Sequence, residues 1–75
     1  MKVTIKLIGP FAYKLGFSEK EIEVAEEATV EAAISALNLD PSRPRIITRN
    51  GRAVVPGERL KEGDRIVISP IYSGG

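Results

Sequence analysis

The sequence predicts an α+β domain, one mixed sheet of four or five strands packed on one main helix, and three observations predict it. Lys2 to Leu7 alternates strictly, with Val3, Ile5 and Leu7 on one face and Lys2, Thr4 and Lys6 on the other, the pattern of a strand with one buried face. From Thr29 the period changes, and Val30, Ala33, Ile34 and Leu37 form one stripe of an amphipathic helix. After Gly63-Asp64 the alternation returns, with Ile66 and Ile68 facing in and Val67 and Ser69 facing out. First and last strands of similar strength, with a helix between hairpins, are expected to pair in parallel at the centre of the sheet through a right-handed crossover.

The remaining elements follow in order. Gly9-Pro10 ends the first strand, and Phe11, Leu15, Gly16 and Phe17 read as a loop whose apolar residues cover one end of the core or form an exposed edge, the former expected because so small a domain has few large apolar residues to spare. Glu19 to Val24 alternates again, with Ile22 and Val24 inward, and is expected to form a hairpin with the first strand. Thr29 is placed to cap the helix, a contribution of about 1 kcal/mol, and Glu31 puts a negative charge in its first turn. Asn38, Asp40 and Pro41 supply the stop, with Leu39 folding back onto the core. Ile46 to Arg49 reads as a short strand, Asn50-Gly51 as a tight turn favouring positive φ, and Arg52 to Val54 as the return. Pro56-Gly57 makes a further turn, and Leu60, isolated among polar neighbours, is expected to plug the core. Residues 1–75 are thus read as a single domain with a flexible tail over 70–75.

Composition bounds the function. A chain of 75 residues buries only about 60% of the surface of its extended form, so the core must be economical. Apolar residues at 43% and charged residues at 28% are globular composition. With no cysteine and no histidine, thiolate chemistry and the commonest neutral-pH base are excluded, and an autonomous enzyme is not expected. The glycines fit neither the Walker nor the dinucleotide spacing, and no metal-ligand pattern is present. Apolar runs are too short for a signal peptide or a membrane span, so a cytoplasmic protein without membrane contact is expected.

The net charge is only +1 but unevenly spread, acidic from Glu19 to Glu31 and basic from Arg43 to Arg65. The arginines are compatible with a nucleic-acid face or with an acidic protein partner. The few aromatic residues, Phe11, Tyr13, Phe17 and Tyr72, do not interleave with them, which favours the protein. Val67 and Ile71, joined by Ile46 and ringed by Arg45, Arg49 and Arg65, would make a docking patch with an apolar centre and a polar rim.

The chain closes on Ser69-Pro70-Ile71-Tyr72-Ser73-Gly74-Gly75. Pro70 has no N–H to donate and is expected to stop the pairing of the last strand. Two glycines beside a terminal carboxylate leave it narrow enough to enter a channel in a second protein. The alternative is an ordinary frayed end rich in small residues.

Three features, the Asn50-Gly51 turn after a strand, the Leu60-Lys61-Glu62-Gly63-Asp64 approach and the final Gly74-Gly75, resemble the small sulfur carriers of the ubiquitin-like beta-grasp superfamily. The chain is similar to the small subunit of molybdopterin synthase and to the sulfur carrier of thiamine biosynthesis. The resemblance implies that the Gly75 carboxylate is adenylated by a ubiquitin-activating-type adenylyltransferase, which uses ATP and magnesium, and is then converted to a thiocarboxylate. Gly74 would keep the tail narrow, and Pro70, Ile71, Tyr72 and Ser73 would form its extended lead. No cofactor would reside on the chain itself. In the molybdopterin branch, which the proline-containing tail resembles, a larger synthase subunit receives the tail and its sulfur. Where aromatic residues are common in that branch, this strand has Val67 and Ile68. Related carriers serve thiamine synthesis or transfer-RNA thiolation, and some members are joined to lysines as protein modifiers.

Overall fold

A computed structural model of the chain describes residues 1–39 and 44–71. Its elements are β1 (Lys2–Leu7), α1 (Pro10–Leu15), β2 (Glu19–Glu23), α2 (Val30–Ser35), β3 (Arg45–Arg49), β4 (Arg52–Ala53) and β5 (Arg65–Pro70). The strands form one five-stranded sheet in the order β2-β1-β5-β3-β4. β1 and β5 run parallel at its centre, from Thr4 opposite Arg65 to Leu7 opposite Ile68. The flanking pairs are antiparallel. This is the α+β beta-grasp arrangement, a mixed sheet carrying its helices on one face.

The alternation in β1 and β5 decides which face is covered. Val3, Ile5, Leu7, Ile66 and Ile68 point to the helix side and are almost fully buried with Val30, Ala33, Ile34 and Leu60. Burying side chains of this size stabilises the fold by about 1.5–3 kcal/mol each. Leu60 is the expected plug, held by its N–H donating to the Ala28 carbonyl at 2.9 Å. Thr29 caps α2 by accepting from the Ala32 N–H at 3.2 Å. The helix proper is shorter than its apolar stripe. Beyond Ser35 the Leu37 and Asn38 N–H groups donate to carbonyls three residues back, and Asn38 turns to a φ of 58°. Asp40, Pro41 and Arg43 lie outside the described residues, as do Tyr72, Ser73, Gly74 and Gly75.

One element departs from the sequence reading. The stretch expected as a loop, with Phe11 and Leu15, is the helix α1. Pro10 stands in its first turn, where a missing N–H costs no hydrogen bond, and Gly16, at φ 82°, ends it with its N–H donating to the Ala12 carbonyl at 2.9 Å. Gly9-Pro10 and Gly16, which read as loop signals in sequence, are here the start and the cap of one short helix. Phe11 nevertheless covers the core as expected and is 3% exposed.

The start of β5 is clamped by side chains. Asp64, buried despite its charge, accepts from the Lys61 N–H at 2.7 Å and from Asn50 Nδ2 at 3.0 Å. Asn50 Oδ1 in turn accepts from the Arg65 N–H at 2.9 Å, and the Asn50 N–H donates to the Arg65 carbonyl at 2.8 Å. Asn50 and Gly51 both hold positive φ, 51° and 87°, as a tight hairpin turn requires. The Lys2 N–H donates to the Glu62 carboxylate, and the Gly63 N–H donates to the Lys2 carbonyl at 2.8 Å. The approach to β5 is therefore tied both to the β3–β4 turn and to the first residues of β1.

Asp64→Ala is expected to lower stability by about 1.5–3 kcal/mol, the range for hydrogen bonds to a charged group. Urea denaturation followed by circular dichroism measures it, and an unchanged midpoint would show that the clamp contributes no stability. The register also separates neighbours in β3. Ile46→Glu is expected to stay within about 0.5 kcal/mol of the parent, whereas Ile47→Glu should cost at least about 2 kcal/mol, because its carboxylate enters the helix side. Equal losses in the two variants would contradict the register.

Candidate functional site

The face of the sheet away from the helices is the candidate docking surface, and the pairing register sets its content. Directly opposed residues share a face. Val67 stands opposite Thr48, Ser69 opposite Ile46, and Lys6 is level with Val67 on β1. These five make a strip along β5 and its neighbours. Ile46 is 46% exposed, Val67 is half-buried, and Ile71, the residue after the strand, is 52% exposed. The expected apolar group of Val67 and Ile46 therefore shares one face, and Ile71 follows at its end. Beyond the strip the open face is polar and mostly charged: Lys2 and Thr4 oppose Glu23 and Glu21 across β1 and β2, and Glu19 faces Lys6. This ladder leaves the strip by β5 as the apolar part of the face.

The expected rim of arginines divides. Arg65 is on the open face, with its Nη2 2.8 Å from Glu19 Oε1. Both side chains are about half exposed, so this pair contributes at most about 1 kcal/mol. Arg49 lies opposite Ile66 and so points to the helix side. There its Nη1 donates to the Arg59 carbonyl at 2.7 Å, with Glu58 at 3.7 Å and Asp64 at 3.9 Å. Arg45, opposite Pro70, is likewise on the helix side and lines a groove of about 610 Å³ with Ile34, Leu39, Ile47 and Val54. The ring of Arg45, Arg49 and Arg65 around one patch is therefore not formed. The strand period turns two of its members away, because residues 45 and 49 share parity with Ile47 rather than with Ile46.

Pro70 is the last residue of β5 and still stands in register with Arg45, so the strand takes the first residue of the stretch read as tail. On the β1 side the pairing ends earlier, with the Ile8 N–H donating to the Ile68 carbonyl at 3.0 Å. Ile8, 37% exposed, was not singled out by the sequence reading. Its signal was the break in alternation, an apolar residue directly after Leu7. Ile8, Ile46 and Ile71 thus flank the end of the central strand. The tail residues Tyr72, Ser73, Gly74 and Gly75, on which the chemistry was expected to fall, lie outside the described residues. No helix among the described residues is long and apolar enough to cross a membrane.

Comparison with known proteins bears on the same end of the chain. The ThiS family model matches residues 5–75. Among solved structures, SAMP1 from Haloferax volcanii superposes with a TM-score of 0.86 at 26% identity, covering 100% of both chains. A putative molybdopterin converting factor, subunit 1, from Pyrococcus furiosus gives a TM-score of 0.84 at 29% identity over 96% of this chain and 99% of that one. Subunits 1 and 2 of the molybdopterin-converting factor from Helicobacter pylori 26695, solved as a complex, include a chain that shares the fold, with a TM-score of 0.70 at 21% identity and 100% coverage of both chains. No curated protein matches the sequence. Small beta-grasp proteins of this kind act as carriers or subunits rather than as enzymes in their own right. With the family match spanning nearly the whole chain and the sheet order, clamp and open face in place, the chain belongs to the ThiS family of beta-grasp sulfur carriers and ubiquitin-like proteins.

Proposed function

We propose that the chain is a sulfur carrier for molybdopterin (molybdenum or tungsten) cofactor assembly, with Gly75 as the acyl end that is adenylated and then thiocarboxylated by a partner enzyme. The observation that carries this reading is the family match, which runs through Gly74-Gly75. The fold supports it, because β5 lies in the middle of the sheet and delivers Ile71 half exposed beside an apolar strip.

The chemistry follows from the reactivity of a carboxylate, which does not accept a sulfur nucleophile directly. The carboxylate oxygen of Gly75 attacks the α-phosphorus of ATP and expels pyrophosphate, giving an acyl-adenylate. Hydrosulfide then adds at the acyl carbon and AMP leaves, so that sulfur replaces one carboxylate oxygen without any change of oxidation level. ATP and magnesium are held by the activating enzyme, a ubiquitin-activating-type adenylyltransferase. This chain contributes a tail without side chains at Gly74 and Gly75, and a face that docks on the enzyme through Val67 and Ile46, with Arg65 at its edge. The likeness to the Pyrococcus furiosus subunit favours a larger synthase subunit as the acceptor of the sulfur.

A second reading has its own support in the whole-chain likeness to SAMP1, a small archaeal modifier protein. It uses the same acyl-adenylate. A lysine amine in place of sulfide would expel AMP and leave an isopeptide, so the nucleophile alone separates carrier from modifier.

Incubation with the adenylyltransferase, ATP, magnesium and sulfide is expected to raise the intact mass by about 16 Da, the difference between sulfur and oxygen. One residue added after Gly75 should abolish that gain while leaving the circular dichroism spectrum unchanged. Sulfur uptake by the extended chain would rule out Gly75 as the acceptor. Peptides from native cells with Gly75 joined to a lysine would favour the modifier reading.

A further inference from the structure

The helix α1 presents a surface that the fold does not use. It packs against β5 at the end of the sheet where that strand finishes, since β1 and β5 are parallel and Pro10 follows shortly after Leu7. Phe11 fills the core from this helix, but Tyr13 is 93% exposed, the most solvated of the large apolar side chains. Tyr13 and Lys14 border a shallow concavity with Pro10 and Phe11. Ile8, 37% exposed, connects this shoulder to the end of β5.

Lysines gather on the same side. At the end of the sheet where β5 finishes, the described residues bear Lys6, Lys14 and Lys20, and the nearby Glu19 is paired with Arg65. At the other end acids and bases are mixed: Glu23 stands opposite Lys2, Glu27 is 4.0 Å from Arg59, and Arg49 lies near Glu58 and Asp64. The local surplus of lysine beside the end of β5 favours approach to an acidic surface. Tyrosine is among the side chains that dominate binding when a partner buries them.

We propose that Tyr13 and Lys14, joined through Ile8 to the open-face strip, form a second docking contact for the enzyme that activates the tail. The facing enzyme surface then has an apolar recess for the Tyr13 ring, rimmed by carboxylates that meet Lys14. This inference rests on the carrier reading, and the test keeps the two apart.

Thiocarboxylation of the full chain is followed by intact mass, with the cell's own adenylyltransferase, as a function of carrier concentration and salt. Tyr13→Ala is expected to raise the KM for the carrier about fivefold or more with kcat unchanged, because the reacting end is intact. Tyr13→Phe should restore it. Lys14→Glu should raise KM most at low salt and flatten the salt dependence. Thermal melts should be unaltered, since both side chains stand clear of the core. If the parent takes up sulfur and both Tyr13→Ala and Lys14→Glu keep KM within about twofold, the shoulder is rejected and the carrier reading stands. If the parent takes up no sulfur, the carrier reading fails and the shoulder fails with it.

Discussion

Parallel pairing of β1 with β5 is the constraint on which the rest of the structure depends. It joins two distant parts of the chain, so this pairing forms only once most of the chain is present. Every other strand is added at the flank of this pair: β2 on β1, β3 on β5, and β4 on β3. Its register decides which side chains enter the core, and a slip of one residue would exchange Ile66 and Ile68 for Val67 and Ser69. The clamp of Asn50 and Asp64 lies at the one point where such a slip would begin, immediately before Arg65. Local polar chemistry thereby secures a non-local pairing.

The same constraint separates the two faces by role. Apolar residues of the central strands go to the helix side, and polar, charged and lesser apolar residues remain on the other. Arg49 illustrates the division, because a residue attractive as a docking cation is instead occupied with Glu58, Asp64 and the Arg59 carbonyl. The edge is guarded as well. β2 is short and carries Glu19, Lys20, Glu21 and Glu23, a charged border that discourages strand addition from another chain.

Period and turn chemistry made most of this fold legible. Strict alternation located β1, β2 and β5, the stripe from Val30 located α2, and Asn50-Gly51 located the hairpin, each because one residue pattern has one physical solution. The helix α1 was not legible, since Gly9-Pro10 and Gly16 read as loop punctuation when they are its N-terminal boundary and its cap. Within the candidate site, the outward side of Val67 followed from alternation, whereas Ile46, Arg45 and Arg49 were grouped with it without regard to strand parity, which keeps Ile46 and turns the two arginines away. The ring of arginines failed for that reason alone. Gly74 and Gly75 were singled out by composition, as residues without side chains, and they lie outside the described residues.

The central position of β5 has a consequence for synthesis. Of the described strands it is the last to be translated, and until it leaves the ribosome β1 lacks one of its two neighbours and Ile5 has no Ile66 beside it. A nascent chain that ends before β5 therefore lacks the strand that joins β1 to β3. The strip of Val67 and Ile46 and the strand end at Pro70 therefore take their places on the sheet together, when β5 pairs with β1 and β3.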